Sequence, residues 1–129
     1  MSLTESVKRA NRVLPGDPAP PGEQDARWQA IIEVAEYIES DPEGVWRFVR
    51  QWGSYPQDDL RDAIATCLLE HLLEHHFDRL FARVADWARR DAAFADTLRR
   101  CWRFGQSERP ANALRLEALL QELSTGPAA

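Results

Sequence analysis

The three histidines of the chain all lie in one short segment, residues 70–78, with the sequence EHLLEHHFD. Residues 71–75 (HLLEH) have the H-x-x-E-H spacing of the inverted zinc proteases. Two imidazoles four residues apart lie on one face of a helix, where they can share a zinc ion while the glutamate activates water. One interpretation is therefore a metal-dependent hydrolase that uses His71, Glu74 and His75.

A catalytic zinc site needs a third protein ligand. The glutamates that follow His75 carry no supporting motif, and they are Glu108, Glu117 and Glu122. The other interpretation of the histidine segment is a polar helix end, where a protonated imidazole meets the negative end of the helix dipole. We expect this second interpretation, and with it no catalytic residue, no enzymatic activity and no cofactor.

A second candidate site is the densest arginine–aromatic cluster, formed by Arg99, Arg100, Trp102 and Arg103. Arginine and tryptophan are the residues that most often carry binding energy at protein interfaces. The charge distribution is also uneven, because residues 33–78 carry a net charge of −8 and residues 79–103 one of +4. Either the two stretches neutralise one another between helices, or they form a polarised surface that steers a charged partner.

Composition limits the class of protein. The chain has 129 residues, 44% of them hydrophobic, and a net charge of −5, which suits one soluble domain and disfavours binding to nucleic acid or an anionic membrane. Its two cysteines exclude a disulfide-rich scaffold. The basic residues near the N-terminus are not followed by the apolar stretch of a signal peptide, so we expect a cytoplasmic protein.

The apolar spacing predicts an all-α fold of about six helices. Asp41 and Asp91 are expected N-caps, Pro42 a first helical residue and Gly53 a C-terminal stop. The predicted helices cover residues 26–39, 42–53, 56–75, 78–90, 91–105 and 110–123. Helical pairs that begin near residues 27, 58 and 92 favour three stacked antiparallel hairpins of HEAT or TPR type, with a closed helical bundle as the alternative.

The Pro- and Gly-rich residues 15–22 divide the chain. They predict a flexible N-terminal segment over residues 1–23, a single helical domain over 24–123 and a flexible tail over 124–129. Among the tryptophans, the helical spacing places Trp28 and Trp87 towards the core.

Two segments carry a family resemblance. Residues 58–77 (DDLRDAIATCLLEHLLEHHF) and residues 100–106 (RCWRFGQ) resemble small, uncharacterised all-helical bacterial proteins. The two segments lie within residues 58–106, a range that spans about half of the domain expected to be ordered. The resemblance implies a cytoplasmic, HEAT-like helical module, and it implies no reaction, substrate or cofactor.

These observations predict a non-enzymatic module that binds a protein partner, as a monomer or a homodimer. An immunity or antitoxin-like protein is one specific form, suggested by small size, acidity and helical content. The metal-dependent hydrolase is one alternative. Another is a homo-oligomeric structural protein in which Trp46, Trp52 or Trp102 pairs across a two-fold axis.

Overall fold

The computed structural model describes residues 2–125, and this part of the chain is helical without strands, which confirms the all-α prediction. The helices are α1 (Leu3–Val13), α2 (Ala26–Ala35), α3 (Pro42–Trp52), α4 (Asp58–Ile64), α5 (Glu70–Arg90), α6 (Ala92–Arg99) and α7 (Pro110–Thr125). A π-helical turn joins α4 to α5 over Ala65–Leu69, and a short 3₁₀ helix covers Gly105–Glu108. None of the described helices is both long and apolar enough to cross a bilayer.

The organising element is the continuous helix formed by α4, the π-helical turn and α5. Helices α2, α3, α6 and α7 all pack against it. Its apolar positions are fully buried, as for Ile64, Leu68, Leu72 and Leu80. The expected break between a third and a fourth helix near residues 75–78 is therefore a kink at His76 (φ −138°, ψ 39°) and not a connecting turn.

The local helix signals are confirmed. Asp41 Oδ1 accepts the Gly44 N–H at 3.0 Å, and Asp91 Oδ1 accepts the Phe94 N–H at 2.8 Å. Pro42 begins α3, and Gly53 follows its last residue. Such caps depend on neighbours in the sequence, which is why the sequence alone predicts them.

The expected flexibility of residues 1–23 is wrong for the part that forms α1. Leu3, Val7, Ala10 and Leu14 recur at helical spacing, and both Ala10 and Leu14 are fully buried. Asn11 Oδ1 also accepts the Nε1–H of the buried Trp52 at 2.9 Å. At the other end, α7 includes two residues of the expected tail, Ser124 and Thr125, while residues 126–129 lie outside the described part.

Further expectations about the arrangement are corrected. Helix α6 ends at Arg99, not near Gly105, so that residues 100–104 form a non-helical connection. Trp28 is 46% exposed and does not face the core, whereas Trp87 is half-buried and donates its Nε1–H to Ser54 Oγ at 3.0 Å. Packing around one central helix does not confirm the three stacked hairpins.

Candidate functional site

The non-helical connection after α6 presents the most exposed aromatic side chain described. We call residues 100–104 the aromatic loop. Trp102 is 72% exposed and Phe104 is 40% exposed. The Trp102 N–H donates to Glu70 Oε1 at 2.9 Å, and Cys101 Sγ lies 3.6 Å from the carbonyl oxygen of Ala65 in the π-helical turn. The loop backbone is thus attached to the central helix while the Trp102 side chain faces solvent.

Gln106, two residues after the aromatic loop, attaches the chain to the kink in α5. Its Oε1 accepts the Phe77 N–H at 2.9 Å, and its Nε2 donates to the His75 carbonyl at 2.8 Å. Insertion of a side chain into the hydrogen-bond ladder is a recognised cause of a sharp helix kink. The kink at His76 is also held by His76 Nε2, which lies 2.9 Å from the Ile38 carbonyl oxygen and must donate to it.

Gly105 makes this close approach feasible. Its φ is +52°, in the left-handed region that favours glycine. A Cβ at this position would lie 2.8 Å from Glu74 Cγ and 3.0 Å from the Glu74 carbonyl oxygen. The sequence Gly105-Gln106 therefore sets the path of the chain where it leaves the aromatic loop.

The three residues of the H-x-x-E-H pattern lie close together in the structure, with the Glu74 carboxylate between the two imidazoles. Glu74 Oε1 lies 2.7 Å from His71 Nδ1 and 3.6 Å from His75 Nε2. The His71 ring is nearly parallel to the Phe104 ring, with centroids 6.0 Å apart. Over residues 2–125 no group of three or more His, Cys, Asp or Glu side chains is arranged to hold a metal ion. Glu74 instead acts as an acceptor that orients His71 beneath the aromatic loop.

Glu70 is the buried ionisable group at the centre of this region. It is 5% exposed, and its Oε2 lies 3.6 Å from His71 Nε2. Burial raises the pKa of the Glu70 carboxyl above its ordinary value of 4.5, against the lowering effects of the Trp102 N–H and His71, while Glu74 and Asp62 raise it further. Folding therefore shifts this group towards its protonated form.

We expect Glu70→Gln to remove a pH dependence of stability. Because the pKa of Glu70 is raised in the folded state, the wild-type protein loses stability relative to this variant as the pH rises from about 4.5 through the raised value. The glutamine retains an oxygen for the Trp102 N–H, so the variant should be at least as stable at neutral pH. Urea unfolding across this range measures the difference, and a wild type that gains stability over the variant with rising pH contradicts it.

The arginines of the predicted partner-binding cluster have different roles. Arg100 lies 3.0 Å from Asp96 and 3.5 Å from Asp58, and Arg103 Nη1 lies 2.8 Å from Glu117 Oε1. Arg99 is exposed, and no ion pair involves it within the described residues. The cluster is therefore not a continuous basic patch, and Trp102 is far more exposed than Arg100 or Arg103.

Ion pairs of this kind recur between the acidic and basic stretches. Arg79 and Arg83 both reach the Glu43 carboxylate, and the nearer Arg83 contributes most to lowering its pKa to about 2. Much of the uneven charge in the sequence is thus neutralised between helices, as one of its two interpretations predicts. On the aromatic loop, Trp102 and Phe104 remain exposed.

Sequence reasoning identified Trp102 but missed its supports. Phe104, Glu70 and Gln106 lie in the two segments that carry the family resemblance, and the structure brings those segments into direct contact. Glu70 offered a usable signal, because a glutamate on an otherwise apolar helix face needs a partner when it is buried.

These features define an all-α domain in which a central kinked helix supports a fixed aromatic loop. The chain belongs to the family of unknown function DUF6869, whose model matches residues 17–122. The matched range includes α2–α7 up to residue 122 and the whole aromatic loop, whereas α1 precedes it. No curated protein and no solved structure matches the chain.

Proposed function

We propose that the protein is a non-enzymatic module that binds another protein through the aromatic loop, with Trp102 as the anchor residue. The observation that carries this proposal is the 72% exposure of Trp102 on a backbone hydrogen-bonded to the buried Glu70. Exposed tryptophan is well suited to become a hot spot, because it buries a large apolar area and can donate one hydrogen bond.

Pre-organisation supports the same function. The loop is attached on both sides of Trp102, through Cys101 to the π-helical turn and through Gln106 to the kink in α5. A loop that already has one conformation loses little entropy when a partner covers it. Phe104 lies on the same loop, and its stacking on His71 gives the surface a second aromatic contact.

The flanking arginines have a supporting role in this proposal. Arg100 and Arg103 already pair with carboxylates of this chain, so they do not present two unpaired positive charges to a partner. Charge reversal at Arg100 would place a carboxylate beside Asp58 and Asp96, so this variant would report on folding and not on binding. Trp102 is the sharper probe of binding, since its side chain is mostly in solvent.

Trp102→Ala should weaken binding of the partner at least about tenfold, because central aromatic anchors commonly contribute this much. The partner is isolated with the tagged wild-type chain from its native cells at low salt, purified, and titrated against both proteins by calorimetry. Leu114→Ala is the matched control, since Leu114 is a large apolar residue that is 67% exposed on α7 and does not belong to the aromatic loop. Unfolding curves confirm that both variants fold.

Equal affinity of the wild type and Trp102→Ala for the purified partner would contradict the role of the loop. If the captured partner is a second copy of this chain, light scattering will show a dimer that Trp102→Ala dissociates. Trp46 and Trp52 are buried, at 3% and 5% exposure, so neither has the free surface for such pairing.

A further inference from the structure

A cleft of about 290 Å³ lies between α2 and α4. Its walls include three carboxylate side chains, one buried guanidinium and one exposed indole. They belong to Asp25, Asp59, Asp62, Arg27 and Trp28. Neither the family description nor the proposed role of Trp102 assigns anything to this cleft, which we call the α2–α4 cleft.

The accessible charge of the cleft is negative. Arg27 Nη2 pairs with Asp59 Oδ2 at 2.7 Å and with Asp25 Oδ2 at 3.1 Å, and the Arg27 side chain is only 8% exposed. The Asp59 and Asp62 side chains, by contrast, are 51% and 61% exposed. Three carboxylates against one guanidinium leave a formal charge of −2, and the surface that a ligand meets is that of the carboxylates.

Asp62 is the carboxylate of the cleft most open to a ligand. Its nearest described cation is Arg100, whose Nη1 lies 3.8 Å from Asp62 Oδ1, beyond hydrogen-bond distance. Asp59, in contrast, accepts from both Arg27 and the Leu60 N–H. The hydrogen bond from Arg27 is the largest influence that lowers the pKa of Asp59, so this group stays ionised at neutral pH.

The indole of Trp28 supplies the second recognition element. It is 46% exposed and lines the cleft beside the carboxylates. A cation placed over an indole face gains from the negative electrostatic potential of the ring. An aromatic wall with facing carboxylates suits a lysine or arginine side chain, which combines an aliphatic stem with a cationic end.

We propose that the α2–α4 cleft binds a lysine or arginine side chain in a basic segment of the protein partner. Asp62 is the principal carboxylate contact and Trp28 the aromatic wall. Charge complementarity selects this occupant, because an anionic segment would be repelled and an apolar one would desolvate the carboxylates without compensation. The inference rests on the proposed function, and it names the chemistry of the partner.

The aromatic loop and the cleft are neighbours. Asp62 lines the cleft, and Arg100, which approaches it, is the first residue of the aromatic loop. A partner that covers Trp102 can therefore place a basic residue in the cleft. The displaced Arg100 keeps its contact with Asp96 at 3.0 Å, so its charge stays compensated.

The test uses a fluorescently labelled peptide of alternating lysine and alanine, titrated with the full chain at low salt and followed by anisotropy. The wild type should bind this peptide, and a glutamate–alanine peptide should not bind. Asp62→Asn and Trp28→Ala should each weaken binding about fivefold, as expected for one partly exposed ion pair or cation–π contact. Asp78→Asn is the matched control, because its 77% exposed carboxylate lies on α5 outside the cleft.

Equal weakening by Asp78→Asn and Asp62→Asn would overturn the inference, because binding would then follow net charge alone. Unchanged affinity with Trp28→Ala, or no binding by the wild type, would also overturn it. Trp102→Ala separates the two proposals. If Trp102→Ala loses the native partner but still binds the peptide, both proposals are supported. If the native partner needs Trp102 but peptide binding is unaffected by the cleft variants, only the proposed function stands.

Discussion

Replacement of Gln106 by alanine is expected to lower the free energy of unfolding by about 3 kcal/mol, since two hydrogen bonds are lost and a buried donor is left without its partner. Gln106 Oε1 accepts the N–H of Phe77, a residue with no exposed surface, and Gln106 Nε2 donates to the His75 carbonyl. The alanine side chain can make neither of these hydrogen bonds. Equilibrium unfolding in urea measures the loss.

Two further variants show whether the paired contacts are the cause. Gln121→Ala makes the same truncation at an exposed position of α7, where a change within about 0.5 kcal/mol is expected. Gln106→Glu keeps an oxygen for the Phe77 N–H but places a second oxygen against the His75 carbonyl, so its stability should fall between wild type and Gln106→Ala. If Gln106→Ala is as stable as Gln121→Ala, the side chain does not hold the kink.

The same substitution connects stability to the proposed function. Gln106 follows the aromatic loop by two residues, and the loop has its other attachments at Glu70 and Ala65. When Gln106 is lost, the loop gains conformational freedom that a partner must remove on binding. Weaker partner binding by a folded Gln106→Ala protein would therefore have an entropic origin, with Trp102 still in place.

The elements that the sequence predicts well are those encoded by adjacent residues. Asp41 with Pro42, and Asp91 before α6, satisfy helix N-termini by contacts over three positions, and the apolar stripe of α3 follows the helical period. These signals require no knowledge of the rest of the chain. They suffice for the all-α class and for most helix starts.

The elements that the sequence does not reveal depend on distant partners. The apolar period continues through Leu98, Cys101 and Trp102, so it predicts a helix up to Gly105, but the Trp102 N–H instead donates to Glu70, thirty-two residues away. The kink at His76 similarly needs Gln106. Helix α1 was missed because the Pro- and Gly-rich residues 15–22 separate it from the core that buries Leu14.

The candidate site likewise has features that the sequence predicts and features that only the packing reveals. Trp102 follows from composition, because a tryptophan among arginines is typical of interfaces. Whether each arginine is available follows only from the packing, which places Asp96 beside Arg100 and Glu117 beside Arg103. The α2–α4 cleft was invisible for the same reason, since Trp28 has core-like helical spacing and is half-exposed only because of how α2 lies on α4.

Arg27→Met is expected to cost about 2–3 kcal/mol at neutral pH. The buried Arg27 guanidinium donates to Asp25, Gln57 and Asp59, and methionine keeps much of its volume while removing every donor. Hydrogen bonds to charged groups contribute about 1.5–3 kcal/mol each, and the half-exposed Asp59 reduces the sum because water can replace its lost partner. Arg12→Met, at an exposed position of α1, should change stability little.

The pH dependence distinguishes loss of these ion pairs from loss of packing. The side-chain hydrogen bond with Arg27 is the largest cause of the lowered pKa of both Asp25 and Asp59, whose ordinary value is 3.8. The resulting stability is complete above about pH 3.8 and is lost as the pH falls through the lowered values. The gap between wild type and Arg27→Met should therefore be constant down to about pH 4 and narrow below it. A gap that stays constant through that acid range in urea unfolding would show that Arg27 acts by packing alone.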